Sequence, residues 1–457
     1  MFLLNFTVAN FRSIRDPQTV DFAEWPGGGN SPKQGWRNVV SPVTVLMGPN
    51  ASGKSNFLEA FNYVREAIRA SSTSWQDEER FPNVPFFPFR LSEAKANEPS
   101  SFELDFVVDQ TRYLYGFQYG KRGVISEWMS YVPSKRWSKL FERTVDKGKS
   151  GIDWNSSRFS KSTQNQFKQL NQRELLLSAA LRRDVEHLSA VADSLLRHLT
   201  YVPLGDSYKD TRISQVAARM RKGFMNLSDI SQLLNAADTG IIEASIDERN
   251  LTETQSQVAQ KLLENESPDG SKLTSITASN RAGEYIEINV TDEDLETIAY
   301  QLVFKHRGSD GVYTMKLVEE SDGTLTWLSI APLLLDALRG GGVVVADELD
   351  SSLHQQLLEM VVSLFSNPEF NPLGAQIIFS SHDTNLLEHI NELNLRPSSF
   401  WFVEKDRDGG SEIEGLASFD NHRNANYERR YLSGRYGGLP RLSLETFAAL
   451  IVDGDHD

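Results

Sequence analysis

The sequence predicts an α/β protein built on a parallel sheet, and three stretches predict it. Val43 to Met47 is a short apolar run, and from Lys54 the residues Phe57, Leu58, Phe61, Val64 and Ile68 recur at helical spacing. A buried strand, a loop and a helix therefore follow one another. Val343 to Ala346 is wholly apolar and ends on the acids Asp347 and Glu348; Gln376 to Ser381 repeats the pattern and ends on His382. Strands without polar alternation are buried on both faces, as in parallel sheets.

The loop between the first strand and its helix is Gly48-Pro49-Asn50-Ala51-Ser52-Gly53-Lys54-Ser55, which fits the phosphate-binding pattern Gly-x-x-x-x-Gly-Lys-Ser. Its glycines let successive backbone N–H groups face one anion, and the helix N-terminus adds the positive end of its dipole. Lys54 is expected to reach the β- and γ-phosphates of a nucleoside triphosphate, and the Ser55 hydroxyl to hold Mg²⁺. The loop and the adjoining Asn56 make up the expected nucleotide cradle. A plain Gly-rich turn is the alternative.

The rest of the chain reads in order. Phe2 to Phe11 alternates as a strand, with Thr19 to Phe22 as a second, and Trp25 to Pro32 is a loop by its turn residues. The helix after the phosphate loop runs to about Ala70. Ser101 to Phe106, Tyr113 to Tyr119 and Gly123 to Val132 alternate with period two, as an antiparallel meander with one buried face. Pro133 to Arg183 is rich in Lys and Arg, with Trp137, Phe141, Trp154 and Phe159 interleaved. Such a stretch either tracks a nucleic-acid backbone or is a solvated edge hairpin. Glu174 to Ala237 is helical in pattern, with a further helix over Thr252 to Glu264 and a turn at Ser267 to Ser271. Strands follow at 285–290, 300–306 and 313–318. Ser321 and Gly323 stand at a helix start, where they either grip a phosphate or simply cap the helix. Pro332, inside the apolar run that follows, predicts a kink or a late helix start.

Acids at the carboxyl end of a buried parallel strand lie at the ligand edge of an open sheet. Asp347 is expected to hold Mg²⁺ through water, Glu348 to polarise the attacking water, and His382 to bond the γ-phosphate. The plainer reading is a strand end followed by a helix that Ser351 and Ser352 cap. The two halves of this site lie at opposite ends of the chain. Inserted lobes are expected between them, and the expected division is an N-terminal ATPase lobe over 1–165, an inserted helical subdomain over 166–280 and a C-terminal ATPase lobe over 281–457.

Asp plus Glu (62) exceed Lys plus Arg (47) among 457 residues, for a net charge of −15, which argues against a general polyanion-coating protein. The chain has no cysteine, which excludes disulfides, thiol nucleophiles and thiolate metal sites and fits a reducing, cytoplasmic setting. No apolar run reaches the roughly 18 residues of a membrane span, and the N-terminus lacks the basic region of a signal peptide.

As an ordered set these motifs resemble the ABC-type ATPase heads of the SMC, RecF and OLD families. They are more similar still to the compact AAA-family ATPases of bacterial phage-defence and abortive-infection loci, of the AbiL and RloA kinds, with the PARIS-system ATPase AriA a related alternative. Val8 to Ile14 resembles their "ENFRSF" opening, and Gly48 to Ser55 their Walker A loop. Glu320 to Thr324 resembles a degenerate signature motif, Asp347 to His354 the Walker B strand and D-loop, and Ser380 to Asp383 the H-loop. Ala237 to Ile241, Trp401 to Asp406 and Tyr431 to Gly437 resemble further shared pieces. Gln355 stands where the family has Pro, the signature lacks a second Gly, and no residue is assigned as the Q-loop glutamine.

The resemblance implies an ABC-type head with a mixed β lobe and a parallel-sheet lobe. It also implies a homodimer or higher oligomer that sandwiches ATP between Walker A of one copy and Ser321 and Gly323 of another, with Asp350 at the same interface. It further implies a sensor or regulator of a separate effector nuclease, Toprim-like by family analogy, triggered by nucleic acid or a phage protein. The competing readings are a RecF- or SMC-like repair ATPase on DNA ends and a non-hydrolysing ATP-gated scaffold. Glu404, Asp406 and Asp408 read as a strand end entering the turn Gly409-Gly410, not as a nuclease centre. The acidic tail Asp453, Asp455 and Asp457 is expected to be unstructured, and no appended nuclease domain is expected.

Overall fold

A computed structural model describes residues 1–25, 29–77, 79, 84–146, 148–203, 206–251, 275–279, 284–290, 295–419 and 426–439. The chain divides into two units. The first takes in Met1–Val202, Ala337–Ser351 and the described residues from Leu358 onward; the second takes in Pro203–Asp336 and Ser352–Leu357.

The first unit holds two sheets. Strands β1 (Phe2–Ala9), β2 (Gln18–Asp21), β4 (Ser100–Val108), β5 (Thr111–Gly120), β6 (Gly123–Tyr131), β7 (Ser138–Asp146) and β8 (Lys149–Trp154) form a seven-stranded antiparallel sheet in the order β2-β1-β4-β5-β6-β7-β8. The meander expected over 101–132 is its centre. Strands β3 (Val43–Met47), β9 (Leu199–Val202), β15 (Val343–Ala346), β16 (Gln376–Ser381), β17 (Phe400–Lys405) and β18 (Ser411–Gly415) form the other sheet, in the order β18-β17-β3-β16-β15-β9. The run from β17 to β9 is parallel, and only β18 is antiparallel. Every residue of β3, β15 and β16 is buried, as expected of largely apolar strands covered on both faces.

The helix Lys54–Ala70 buries the face that its sequence period defines. The Phe61 ring lies 4.1 Å from that of Phe6 on β1, and Phe57 5.6 Å from it. The same helix also contacts β9, β15 and β16, so one core serves both sheets.

Two expectations change here. Glu174 to Ala237 is not one helical stretch: the helices Leu176–Arg182 and Glu186–His198 lead straight into β9, the edge strand beside β15. Leu199, Tyr201 and Val202 fit a helical period locally, but their backbone partner is β15, far along the chain. Nor is the region 166–280 helical throughout. Residues 166–202 belong to the first unit, and beyond them the helices Asp206–Arg221 and Leu227–Ala236 are followed by strands.

In the second unit β10 (Ile241–Asn250), β11 (Ser275–Ser279), β12 (Glu284–Val290) and β13 (Leu295–Arg307) pair in the order β10-β13-β12-β11, and β14 (Val312–Lys316) pairs with β13. The helix expected over Thr252 to Glu264, the turn at Ser267 to Ser271 and the acidic tail lie outside the described residues. The helix Asp322–Gly340 runs through Pro332, so no late start occurs. Proline removes one backbone donor, and the buried Trp327, Leu328, Ile330, Ala331 and Leu334 around it offset that loss. Within this unit Trp327 Nε1 donates to Leu233 O (2.8 Å) and Arg219 pairs with Asp336 (2.6 Å).

Candidate functional site

The carboxyl ends of β3, β16 and β15 lie along one sheet edge, because the strands are parallel and in register: Met47 pairs with Ser381, and Phe379 with Ala346. At a strand spacing of about 4.8 Å, the loops leaving β3 and β15 are ~10 Å apart across β16. The sequence elements expected to form one site therefore share one edge.

The loop after β3 has the backbone of an anion cradle. Gly48 (φ 152°) and Gly53 (φ 117°) lie in the region that favours glycine, and Ala51 is left-handed at φ 61°. A Cβ on Gly48 would stand 2.2 Å from Val403 O, and one on Gly53 2.1 Å from Ser411 Oγ. The underside of the loop is thus closed by β17 and β18. Ser411 Oγ donates to Ser52 O (2.6 Å) and Asn56 Nδ2 to Ser13 Oγ (2.6 Å), so the Asn56 amide is engaged with the N-terminal segment. Pro49 is half-buried, and Asn50 and Ser55 are exposed.

Lys54 is 5% exposed, and its ammonium donates to Gly48 O (2.7 Å) and Pro49 O (3.1 Å). Burial lowers its pKa below the usual lysine value, while the carboxylates of Asp347, Glu348 and Asp350 pull it back up. One cation therefore feels all three acids at the end of β15.

One of those acids, Asp347, is held by a serine that the sequence reading did not single out. Ser380 Oγ donates to Asp347 Oδ1 (2.6 Å) and accepts from Glu348 N (2.6 Å). Its only advance signal is its place one strand over from the acids. Glu348 is exposed and sits at φ 53°, a left-handed conformation uncommon for a side chain of this kind. Asp350 Oδ2 accepts from His382 N (2.6 Å), and the exposed His382 imidazole has no partner among the described residues. Ser351 and Ser352 fall inside the short helix Leu349–Ser352.

Two buried polar atoms at this edge have no partner among the described residues, Ser52 Oγ and Asp350 Oδ1. With a glycine-built cradle, a buried lysine and a row of carboxylates, they fit a metal-bound polyphosphate. Ser321 and Gly323 lie in the second unit. There Ser321 Oγ accepts from Thr324 N (3.2 Å), the cap geometry that the plainer reading expected.

A family model described as "AAA domain, putative AbiEii toxin, Type IV TA system" matches residues 43–388, from β3 past β16. The chain belongs to this family. It is a P-loop ATPase of the AAA type, and its mixed α/β sheets with a parallel core agree with that fold. The search of curated proteins returns no match. Among the described residues no helix is long and apolar enough to cross a membrane.

Proposed function

We propose that this AAA-type ATPase binds ATP with Mg²⁺ at the shared sheet edge, hydrolyses it, and uses the cycle to control a separate effector, a nuclease, in defence against phage. The observation that carries the catalytic part is the convergence of the buried Lys54 with Asp347, Glu348 and Asp350. The family description, which names a putative AbiEii toxin and a type IV TA system, supports the biological part.

In this reading the backbone from Gly48 to Ser55 cradles the phosphates, and Lys54 leaves its two carbonyl partners to meet them. Ser55 and Asp347 hold the Mg²⁺, which supplies charge neutralisation at the phosphate oxygens. Ser380 fixes the Asp347 carboxylate. Glu348 takes the proton of the attacking water, and His382 donates toward the terminal phosphate. Ser321, Gly323 and Asp350 serve a second copy's nucleotide, which makes the working unit a homodimer or larger.

Glu348→Gln is the test. ATP binding is expected to persist and phosphate release to fall by about 10²–10⁴-fold, the usual worth of a general base. An ATP-dependent increase in mass should accompany it. Unchanged hydrolysis in the variant, or none in the wild type, would end the enzyme reading.

The repair alternative requires free cations for a DNA backbone. Much of the basic stretch is engaged internally: Lys139 with Glu142 and Asp153, Arg143 with Glu127, Arg182 and Arg183 with Glu174. That favours a protein trigger. Salt-sensitive binding of linear DNA, lost when Lys135, Arg136 and Lys139 are neutralised, would reverse the preference.

A further inference from the structure

Beyond the phosphate loop, a segment near the end of the described chain is built against it. Residues 426–438 begin with the short helix Tyr427–Leu432 and turn at Gly434, where Gly434 N donates to Tyr431 O (2.8 Å) and Arg435 N to Arg430 O (3.1 Å). The segment is fixed to β17 by rings. Phe402 lies nearly parallel to Tyr431 (5.2 Å, 16°) and to Tyr436 (5.3 Å, 11°), and all three are buried. Phe402 is itself in register with Met47, the last residue before the phosphate loop.

The segment ends in a glycine pair that its left-handed backbone favours. Gly437 and Gly438 have φ of 70° and 68°. A Cβ on Gly437 would lie 2.6 Å from Glu404 Oε2, and one on Gly438 3.6 Å from Gly48 Cα. Gly438 N donates to Glu404 Oε2 (3.2 Å), and Tyr431 OH donates to Gly438 O (2.9 Å). At its other end Thr384 Oγ1 donates to Glu428 Oε1 (2.7 Å), two residues past His382. The segment is therefore a strap tied to the loops that leave β16, β3 and β17.

We propose that this strap, through its turn 434–438, is the nucleoside wall of the site, a proposal that rests on the phosphate-loop reading above. The acids stand at β15, two strands from β3 on one side; the glycine pair stands on the other side, against Gly48 and β17. A triphosphate whose terminal phosphate faces Glu348 directs its ribose and base toward the glycine pair. Arg435 is exposed and without a side-chain partner among the described residues, and it supplies a cation for the nucleoside rather than for the phosphates.

Hydrogen exchange of the full chain with ATP or with inorganic tripolyphosphate, each with Mg²⁺, tests this. Both ligands should slow the amides of 48–55, and only ATP should slow those of 431–438. Arg435→Ala should bind ATP about tenfold more weakly, the worth of one charge-assisted bond, and bind tripolyphosphate as the wild type does. Tyr436→Ala should show the same split by loosening the ring stack. If ATP slows 48–55 and leaves 431–438 unchanged, or tripolyphosphate slows both, the strap is no nucleoside wall. If neither ligand slows 48–55, the phosphate-loop reading itself fails.

Discussion

Lys54 illustrates how a single side chain ties stability to binding. Free, its folded pKa is depressed, because burial outweighs the nearby carboxylates. The ammonium therefore forms at a cost as pH falls through that lowered value, and a bound polyphosphate reverses the balance by adding anions around it. ATP affinity should be greatest below the lowered pKa and should decline as pH rises through it, toward the usual lysine value. In Lys54→Arg, whose guanidinium stays charged, that alkaline slope should vanish; an identical slope in both proteins would assign it elsewhere. Ser380→Ala should leave Asp347 free to turn and Glu348 N unpaired. Loss of one such bond to a charged group is worth about 1.5–3 kcal/mol, so Mg²⁺-dependent turnover should drop by roughly 10–100-fold with the fold intact by circular dichroism. Neither effect needs a residue outside the first unit.

Two elements hold that edge in place by different physics. The helix Lys54–Ala70 is anchored by apolar burial, with Phe61 completely enclosed between Phe6, Phe22 and Phe57. Phe61→Ala should cost about 3–5 kcal/mol in denaturant unfolding, transfer and cavity together. The helix Leu176–Arg182 is anchored by charge: Glu127 accepts from Leu177 N (2.9 Å), Leu176 N and Tyr115 OH (3.0 Å), with Arg143 at 3.7 Å and both side chains fully buried. Removing one partner strands the other, so Glu127→Ala should also cost about 3–5 kcal/mol. The double replacement Glu127→Leu with Arg143→Met should be milder than either single change. If it is worse, the pair contributes more than its desolvation cost.

For the whole molecule the informative fact is that the phosphate loop and the acids after β15, far apart in the chain, come to one sheet edge. Anything bound there stabilises the folded first unit over the unfolded chain. At a ligand concentration of 100 times Kd the gain is about 2.7 kcal/mol, which thermal unfolding should register with Mg²⁺ and ATP together and should not register in Lys54→Ala. A shift of equal size in that variant would place the nucleotide elsewhere.

What the sequence determined by itself is whatever is written in neighbouring residues. The phosphate loop, its strand and helix, the acids closing β15 and the histidine after β16 were legible because glycine geometry, apolar runs and chain-end polarity are local properties. The strand β9 was missed although Thr200, Tyr201 and Val202 favour a strand, because so short an edge following a helix is fixed by its pairing with β15. The uninterrupted helix through Pro332 was hidden for a similar reason, as the lost hydrogen bond is offset by burial of its neighbours, with Trp327 bonded to Leu233. The carboxylate-holding Ser380 and the glycine pair against Gly48 were settled only by tertiary structure. Hydrogen bonds and backbone approaches between segments tens to hundreds of residues apart depend on sheet order, and no local period encodes which strand lies beside which.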